Sequence, residues 1–237
     1  MLQKQTVSSR LIDTLKDMQS EEIFDNFILA GGTALSLQYG HRMSEDIDIF
    51  TNKTLNHNEI LDYFKYKYKQ YDLVTLNKNQ ITLISNGIKF DIINMFQNNI
   101  EALLEEDNIK IYKASDIAAM KLRAILTRTV NRDYIDIAYL LKRYTLDKMF
   151  EFYKKKFESD DTYVIKLALL KCNIIPLEDW NKEVVMCKND IILKNIPDII
   201  NKAVKVHNIK SNIGKYIRDV LHIKDMPSVN NAKRKSR

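Results

Sequence analysis

Residues 31–50, GGTALSLQYGHRMSEDIDIF, contain the pattern that decides the fold of this 237-residue chain. Two of the five glycines in the chain stand side by side at the start of this stretch. At its end, Asp46 and Asp48 alternate with isoleucines, and such period-two alternation is typical of a half-buried strand. Because side chains two apart on a strand point the same way, we expect both carboxylates on one face and both isoleucines in the core. The stretch therefore predicts a tight turn, a short helix and an acidic strand.

The residues that flank the two glycines predict an anion site. The apolar strand NFILA, residues 26–30, runs directly into Gly31 and Gly32, and we expect a helix that Thr33 caps and Gly40 ends. A helix N-terminus presents backbone N–H groups and a positive dipole end, and missing glycine side chains let phosphates approach the backbone. Arg42 and Ser44, just before the acidic strand, could add a charge-assisted contact and a hydroxyl contact.

A third carboxylate comes from a later hairpin. Asn86 and Gly87 separate two strand-like runs in residues 79–94, and Asn-Gly is a strong signal for a type I′ turn. The second run places Asp91 between two hydrophobic residues. If this strand lies beside residues 45–50, three carboxylates come together and repel one another unless a cation neutralises them. Mg²⁺, or Mn²⁺, is the expected metal at Asp46, Asp48 and Asp91, as two ions about 3.5–4 Å apart that stabilise a phosphoryl displacement.

Composition limits the class of protein. A hydrophobic content of 45% excludes a disordered or fibrous chain. We find no apolar run long enough for a membrane span and no signal-peptide core, so we expect a cytoplasmic protein without a membrane partner. In that compartment Cys172 and Cys187 should be reduced and structural. The net charge of +6 is compatible with a nucleic-acid partner, although part of it lies in the basic tail.

The two halves of the chain differ in pattern. Strand signals fade after about residue 112, and amphipathic helices follow. We therefore predict an α+β domain over residues 1–112 and an all-helical domain over residues 113–237. Two basic and aromatic stretches, YFKYKYKQY at 63–71 and FYKKKF at 152–157, could contact RNA or could simply be amphipathic helices with solvated lysines.

A lone Asp-x-Asp strand is more often an ordinary polar face, so the combination of elements is what carries information. The combination resembles the nucleotidyltransferase superfamily typified by DNA polymerase β, whose pattern here reads Ala30-Gly31-Gly32, Asp46-Ile47-Asp48-Ile49 and Phe90-Asp91-Ile92. The resemblance implies a core of a small mixed sheet flanked by helices. It also implies that the glycines hold the nucleotide phosphates and that the three aspartates hold Mg²⁺.

A narrower resemblance covers roughly residues 26–144. GGTAL followed by Arg42-x-Ser44-x-Asp46 looks like the abortive-infection AbiEii/AbiGii-type nucleotidyltransferases, which include the MenT toxins. Their second signature, Lys-Leu-x-Ala and then Arg-Asp-x-x-Asp, stands here as Lys121–Ala124 and Arg132–Asp136. By resemblance, Lys121 contacts the nucleotide phosphates and Asp136 is a further catalytic or nucleotide-positioning acid. Taken alone, these helices are better explained as solvated faces with intrahelical ion pairs, and only their combination with the first signature reverses that preference.

The leading hypothesis is an enzyme that transfers a nucleotide from an NTP to a hydroxyl group. By resemblance, the acceptor is a tRNA or a protein, and the enzyme is the toxin of a toxin–antitoxin or phage-defence pair with a cognate antitoxin. Either Asp91 or Asp136 could accept the hydroxyl proton, and the sequence does not decide between them. Two alternatives are a nucleotidyltransferase for small molecules such as aminoglycosides and a nucleotide-binding module without catalysis.

Overall fold

The computed structural model describes residues 1–181 and 195–221, and within these ranges it contains seven strands and nine α-helices. The strands are β1 Ile28–Leu29, β2 Asp46–Thr51, β3 Asp72–Asn77, β4 Gln80–Ser85, β5 Ile88–Asn94, β6 Leu104–Glu106 and β7 Ile109–Ile111. The helices are α1 Ser9–Gln19, α2 Gly31–Tyr39, α3 His57–Tyr68, α4 Ala114–Thr127, α5 Asn131–Leu140, α6 Leu146–Phe157, α7 Thr162–Leu170, α8 Leu177–Asn181 and α9 Ile196–Leu221. The predicted α+β class is confirmed.

All seven strands form one mixed sheet in the order β3-β4-β5-β2-β1-β7-β6. Strand β5 pairs in parallel with β2, and Asp48 and Asp91 are register partners. The expectation that Asp91 lies beside the acidic strand is confirmed. The turn between β4 and β5 also has the predicted geometry, because Asn86 and Gly87 both have positive φ, at 51° and 76°.

The alternation in β2 separates core from cavity. Ile47 and Ile49 are at most 1% exposed, whereas Asp46 and Asp48 point to the opposite face. The strand is thus anchored by its isoleucines, which fixes its register because a slip of one residue would exchange the two faces.

The start of α2 differs from the sequence prediction. The helix begins at Gly31, with Ala30 as its N-cap residue, and Thr33 does not cap it. Gly31 has φ of 65°, a left-handed conformation that turns the chain directly from β1 into the helix. The end of the helix is as predicted, with Gly40 at φ of 68°.

The helical half shares the hydrophobic core of the sheet. Buried residues of the strands, such as Leu29 and Phe90, belong to the same cluster as Ile117 and Ile135 of α4 and α5. The division at residues 112 and 113 stays a prediction.

No strand follows β7 within the described residues, in agreement with the sequence pattern. Sequence analysis missed β3, β6 and β7, which lie in the outer parts of the sheet.

Only one of the two cysteines lies within the described residues. Cys172 is buried and is not in a disulfide. Cys187 and the basic tail lie outside the described residues. No helix in the described ranges is both long and apolar enough to span a membrane.

The two basic and aromatic stretches serve packing in part. Tyr63 and Tyr68 of α3 contact the ring of Phe64, with ring centroids 5.4 and 5.5 Å away. In α6, Lys156 is fully buried and its Nζ lies 2.7 Å from Oδ1 of Asp116. Both partners also contact the loop before β6: Nζ of Lys156 donates to the backbone oxygen of Asn98, 3.3 Å away, and the Asp116 carboxylate accepts the backbone N–H of Ile100.

We predict that Lys156→Met destabilises the protein by about 3 kcal/mol, because removing one partner of a buried ion pair leaves an uncompensated charge. Equilibrium urea unfolding measures this change. Lys154→Met is the matched control on the same helix, since Lys154 and its partner Asp160 are both more than half exposed and such pairs contribute at most about 1 kcal/mol. Equal destabilisation by the two substitutions would contradict the structural role of Lys156.

Candidate active site

One cavity of about 130 Å³ gathers most of the residues that the sequence singled out. It is lined by Gly32, Arg42, Ser44, Asp46, Asp48, Lys89, Asp91, Lys121, Arg128, Val130, Arg132 and Asp133. A larger hollow of about 940 Å³ beside α1 contains none of the predicted site residues. Gly31, Thr33 and Asp136 were also predicted site residues, and they are not among the residues that line the smaller cavity.

The three predicted metal-binding aspartates face this cavity from two neighbouring strands. Asp48 and Asp91 are directly opposite each other across the β2–β5 pair, and Asp46 precedes them on the same face. Burial, together with the charges of Asp91 and Asp46, raises the pKa of Asp48 to about 7. The cause is the expected one, because burial and neighbouring negative charge both disfavour the charged form of a carboxylate.

The two glycines make room for side chains of the protein itself. A Cβ at Gly31 would overlap the Asp48 carboxylate, and a Cβ at Gly32 would overlap the Arg42 guanidinium. The sequence interpretation assigned this space to phosphates, and the structure fills it with the groups that build the cavity. Gly32 still contributes to the cavity wall at the N-terminus of α2.

Asp136 is the centre of a buried charged cluster behind the cavity. Its carboxylate accepts two hydrogen bonds from Arg42, at 2.7 Å from Nε and 3.0 Å from Nη2. His41 Nε2 lies 2.7 Å away, and Lys121 Nζ lies 2.6 Å away. The side chain of Asp136 is fully buried.

The basic partners of Asp136 keep its carboxylate ionised. Burial alone would raise the pKa of Asp136, but Arg42 and Lys121 hold it well below its usual value. Burial lowers the pKa of His41, so its imidazole is neutral at pH 7 despite the neighbouring carboxylate. Asp136 is therefore an ionised acceptor at neutral pH, and its oxygens are engaged by Arg42, His41 and Lys121.

A second carboxylate completes the wall between the cluster and solvent. Asp133 lies 2.9 Å from Lys121 Nζ and 2.7 Å from Arg128 Nε. Arg132 extends from the same helix, and its Nη1 lies 3.9 Å from Oδ2 of Asp46. The signature helices thus place three basic side chains around the acidic strand.

Thr33 and Ser44 connect α2 to the acidic strand. The Thr33 hydroxyl lies 2.5 Å from the backbone oxygen of Asp46 and 2.8 Å from Oγ of Ser44. Both residues are buried, and only Ser44 reaches the cavity. Thr33 therefore orients the strand instead of capping the helix.

Sequence analysis missed Lys89 in the site. Its Nζ lies 2.5 Å from Oδ2 of Asp91, and it lines the cavity. The signal was available, because Lys89 is two residues before Asp91 and so shares its strand face.

The donor set fits a hard divalent cation by chemistry, since oxygen ligands from carboxylates are what Mg²⁺ prefers. In the described residues, however, no three carboxylate, imidazole or thiol groups are arranged closely enough to hold a metal as they stand. Both oxygens of Asp91 are already engaged, one 2.5 Å from the Thr82 hydroxyl and the other 2.5 Å from the Lys89 ammonium. A cation has to compete with Lys89 for that carboxylate.

We predict that Gly31→Ala destabilises the protein more than Gly87→Ala. Both glycines have positive φ, so alanine at either costs about 1–2 kcal/mol of backbone strain. Only Gly31 has a side chain against it, because nothing lies within 4 Å of a Cβ at Gly87. The overlap with Asp48 should add about 1–3 kcal/mol. Urea unfolding of both variants tests this, and equal losses would show that Asp48 moves aside without cost.

Comparison with known proteins identifies the family of the chain. The profile of the family described as "Nucleotidyl transferase AbiEii toxin, Type IV TA system" matches residues 13–208. An uncharacterised protein of Aquifex aeolicus (strain VF5) is 30% identical over 178 residues, which cover 73% of this chain and 84% of that protein. The crystal structure of JHP933 from Helicobacter pylori is similar in fold, with a TM-score of 0.50 and 17% identity over 91% of this chain and 99% of that one. The nucleotidyltransferase toxin MenT4 from Mycobacterium tuberculosis H37Rv has a TM-score of 0.44 and 12% identity over 82% of this chain and 80% of its own. Since the family profile spans most of its length, the chain belongs to the AbiEii nucleotidyltransferase toxin family.

Proposed function

We propose that this nucleotidyltransferase transfers a nucleotide from an NTP to a hydroxyl group of a tRNA or a protein, with release of pyrophosphate. The observation that carries the proposal is the placement of Asp46, Asp48 and Asp91 on one face of adjacent strands, beside the N-terminus of α2. Basic side chains surround this face from α4 and α5. An acidic floor with a basic rim is the arrangement that a metal–triphosphate complex requires.

Asp46, Asp48 and Asp91 are the residues that would hold Mg²⁺, or Mn²⁺ in its place. The bound cation supplies charge neutralisation at the oxygens that enter and leave in the phosphoryl displacement. The raised pKa of Asp48 supports this assignment, because a carboxylate that is disfavoured in its charged form is stabilised by a cation.

The phosphate-binding groups in this proposal are the N-terminus of α2 and the basic rim. Lys121 lines the cavity from its buried position, and Arg128 and Arg132 line it from more exposed ones. Phosphoryl transfer depends mainly on positioning and on charge stabilisation, which such fixed cations provide. We assign Arg42 a positioning role, since its guanidinium is engaged with Asp136.

Of the two acids considered as proton acceptor, we favour Asp91. Its carboxylate faces the cavity. Asp136 is fully buried, and three neighbours already donate to it, so it has no route to an acceptor hydroxyl. We assign Asp136 to holding Arg42 and Lys121 in place.

The biological role that we propose follows the family. The enzyme would act in the cytoplasm as the toxin of a type IV toxin–antitoxin pair, with a cognate antitoxin that opposes it. Its acceptor would carry a nucleophilic hydroxyl close to the basic rim.

The test uses each of the four NTPs labelled at the α-phosphate, with Mg²⁺, total tRNA and a bacterial protein extract. We expect label on RNA or on protein, and none when the label is at the γ-phosphate. Asp48→Asn should reduce transfer at least about 100-fold, because a charge that stabilises the transition state is lost.

The matched control for that test is Asp72→Asn, an exposed acid on the edge strand of the same sheet. It should transfer at the wild-type rate. Absence of label from RNA and protein, or equal activity of Asp48→Asn, would refute the proposal. Label confined to added small molecules would favour the small-molecule alternative instead.

A further inference from the structure

The ion pair between Lys89 and Asp91 is the one feature of the site that its other residues do not explain. The two side chains share a strand face, and Nζ of Lys89 lies 2.5 Å from Oδ2 of Asp91. Lys89 is also the register partner of Asp46 on the neighbouring strand. One ammonium group therefore lies among carboxylates where the proposed function requires a divalent cation.

Lys89 differs from the two buried cations of the cavity, Lys121 and Arg42, in how it is held. Lys121 has only 7% of its side chain exposed and contacts two carboxylates. Arg42 has 4% exposed and is bidentate to Asp136. Lys89 is 42% exposed, and among the described residues its ammonium contacts Asp91 alone. A flexible four-carbon stem with one contact can move without breaking the buried cluster.

The contacts of Asp91 also bear on the proposed metal ligands. Lys89 lies on one oxygen of Asp91 and Thr82 on the other, and in the described residues Asp46, Asp48 and Asp91 do not form a preformed metal site. Movement of Lys89 frees one oxygen of Asp91. The same movement leaves a positive charge at the cavity, within reach of a polyanion.

We propose that Lys89 is an internal counter-cation that occupies Asp91 in the metal-free enzyme, yields it to the divalent cation, and then binds the phosphates of the incoming nucleotide. The inference rests on the proposed function, since it assumes that the cavity receives a metal–nucleotide complex. It follows that the metal alone binds weakly, and that nucleotide and metal strengthen each other's binding.

Binding measurements test this without turnover. Mn²⁺ affinity is measured by electron paramagnetic resonance in the absence of nucleotide, for the wild type and for Lys89→Met. Removing the competing ammonium should tighten Mn²⁺ binding by about threefold or more, in keeping with a partly exposed ion pair. The affinity for a non-hydrolysable NTP analogue with Mn²⁺ present should fall by about tenfold or more, because a charge-assisted contact is lost.

Two further variants separate charge from shape. Lys89→Arg keeps the cation and should keep the weak Mn²⁺ binding of the wild type. Lys78→Met removes an exposed lysine from the β3–β4 turn of the same sheet and should change neither affinity. Urea unfolding of each variant confirms that it is folded.

Unchanged or weaker Mn²⁺ binding in Lys89→Met overturns the inference, as does absence of Mn²⁺ binding from both wild type and variant. The failure of the proposed function looks different: the wild type would bind Mn²⁺ and NTP as described here but transfer no label. Tightened Mn²⁺ binding with unaltered nucleotide affinity would reject the second half of the inference, the contact with phosphates.

Discussion

The buried carboxylate of Asp136 is the constraint on which the rest of the site depends. A fully desolvated charge is tolerated only if it is paired and hydrogen-bonded, and Arg42, Lys121 and His41 supply these partners. Arg42 and His41 come from the segment between α2 and β2, and Lys121 comes from α4. These contacts join α4 and α5 of the helical half to the segment between α2 and β2, in addition to the shared hydrophobic core.

The glycine pair links the Asp136 cluster to the acidic strand β2. Arg42 can reach Asp136 only because Gly32 has no Cβ, and Asp48 fits against the turn only because Gly31 has none. The glycines, the basic cluster and the acidic strand are thus one steric unit. A conservative change at either glycine displaces a charged group, which explains why a small turn can decide the arrangement of a site.

The sequence predicted the acidic half of the site well and the buried half poorly. Alternation in β2 and the Asn-Gly turn before β5 are local signals, and they placed Asp46, Asp48 and Asp91 correctly on one face. The contacts of Asp136 are long-range in sequence, since Arg42 is 94 residues away. Local hydrophobic periodicity carries no information about such pairs. Thr33 was misjudged for a related reason: its hydroxyl serves a strand that is distant in sequence. Family resemblance identified Lys121 and Asp136 but not their different positions. In the structure Lys121 lines the cavity, and Asp136 lies outside the lining and contacts Lys121.

A double-mutant cycle between Arg42 and Asp136 tests the central claim most directly. The free energy of unfolding is measured by urea denaturation for the wild type, Arg42→Met, Asp136→Asn and the double variant. We expect each single substitution to cost about 3 kcal/mol or more, since each leaves a buried partner unpaired. The coupling energy should be at least about 1 kcal/mol. Additivity within about 0.5 kcal/mol would show that the two groups do not depend on each other, and the account of the site as one unit would be wrong.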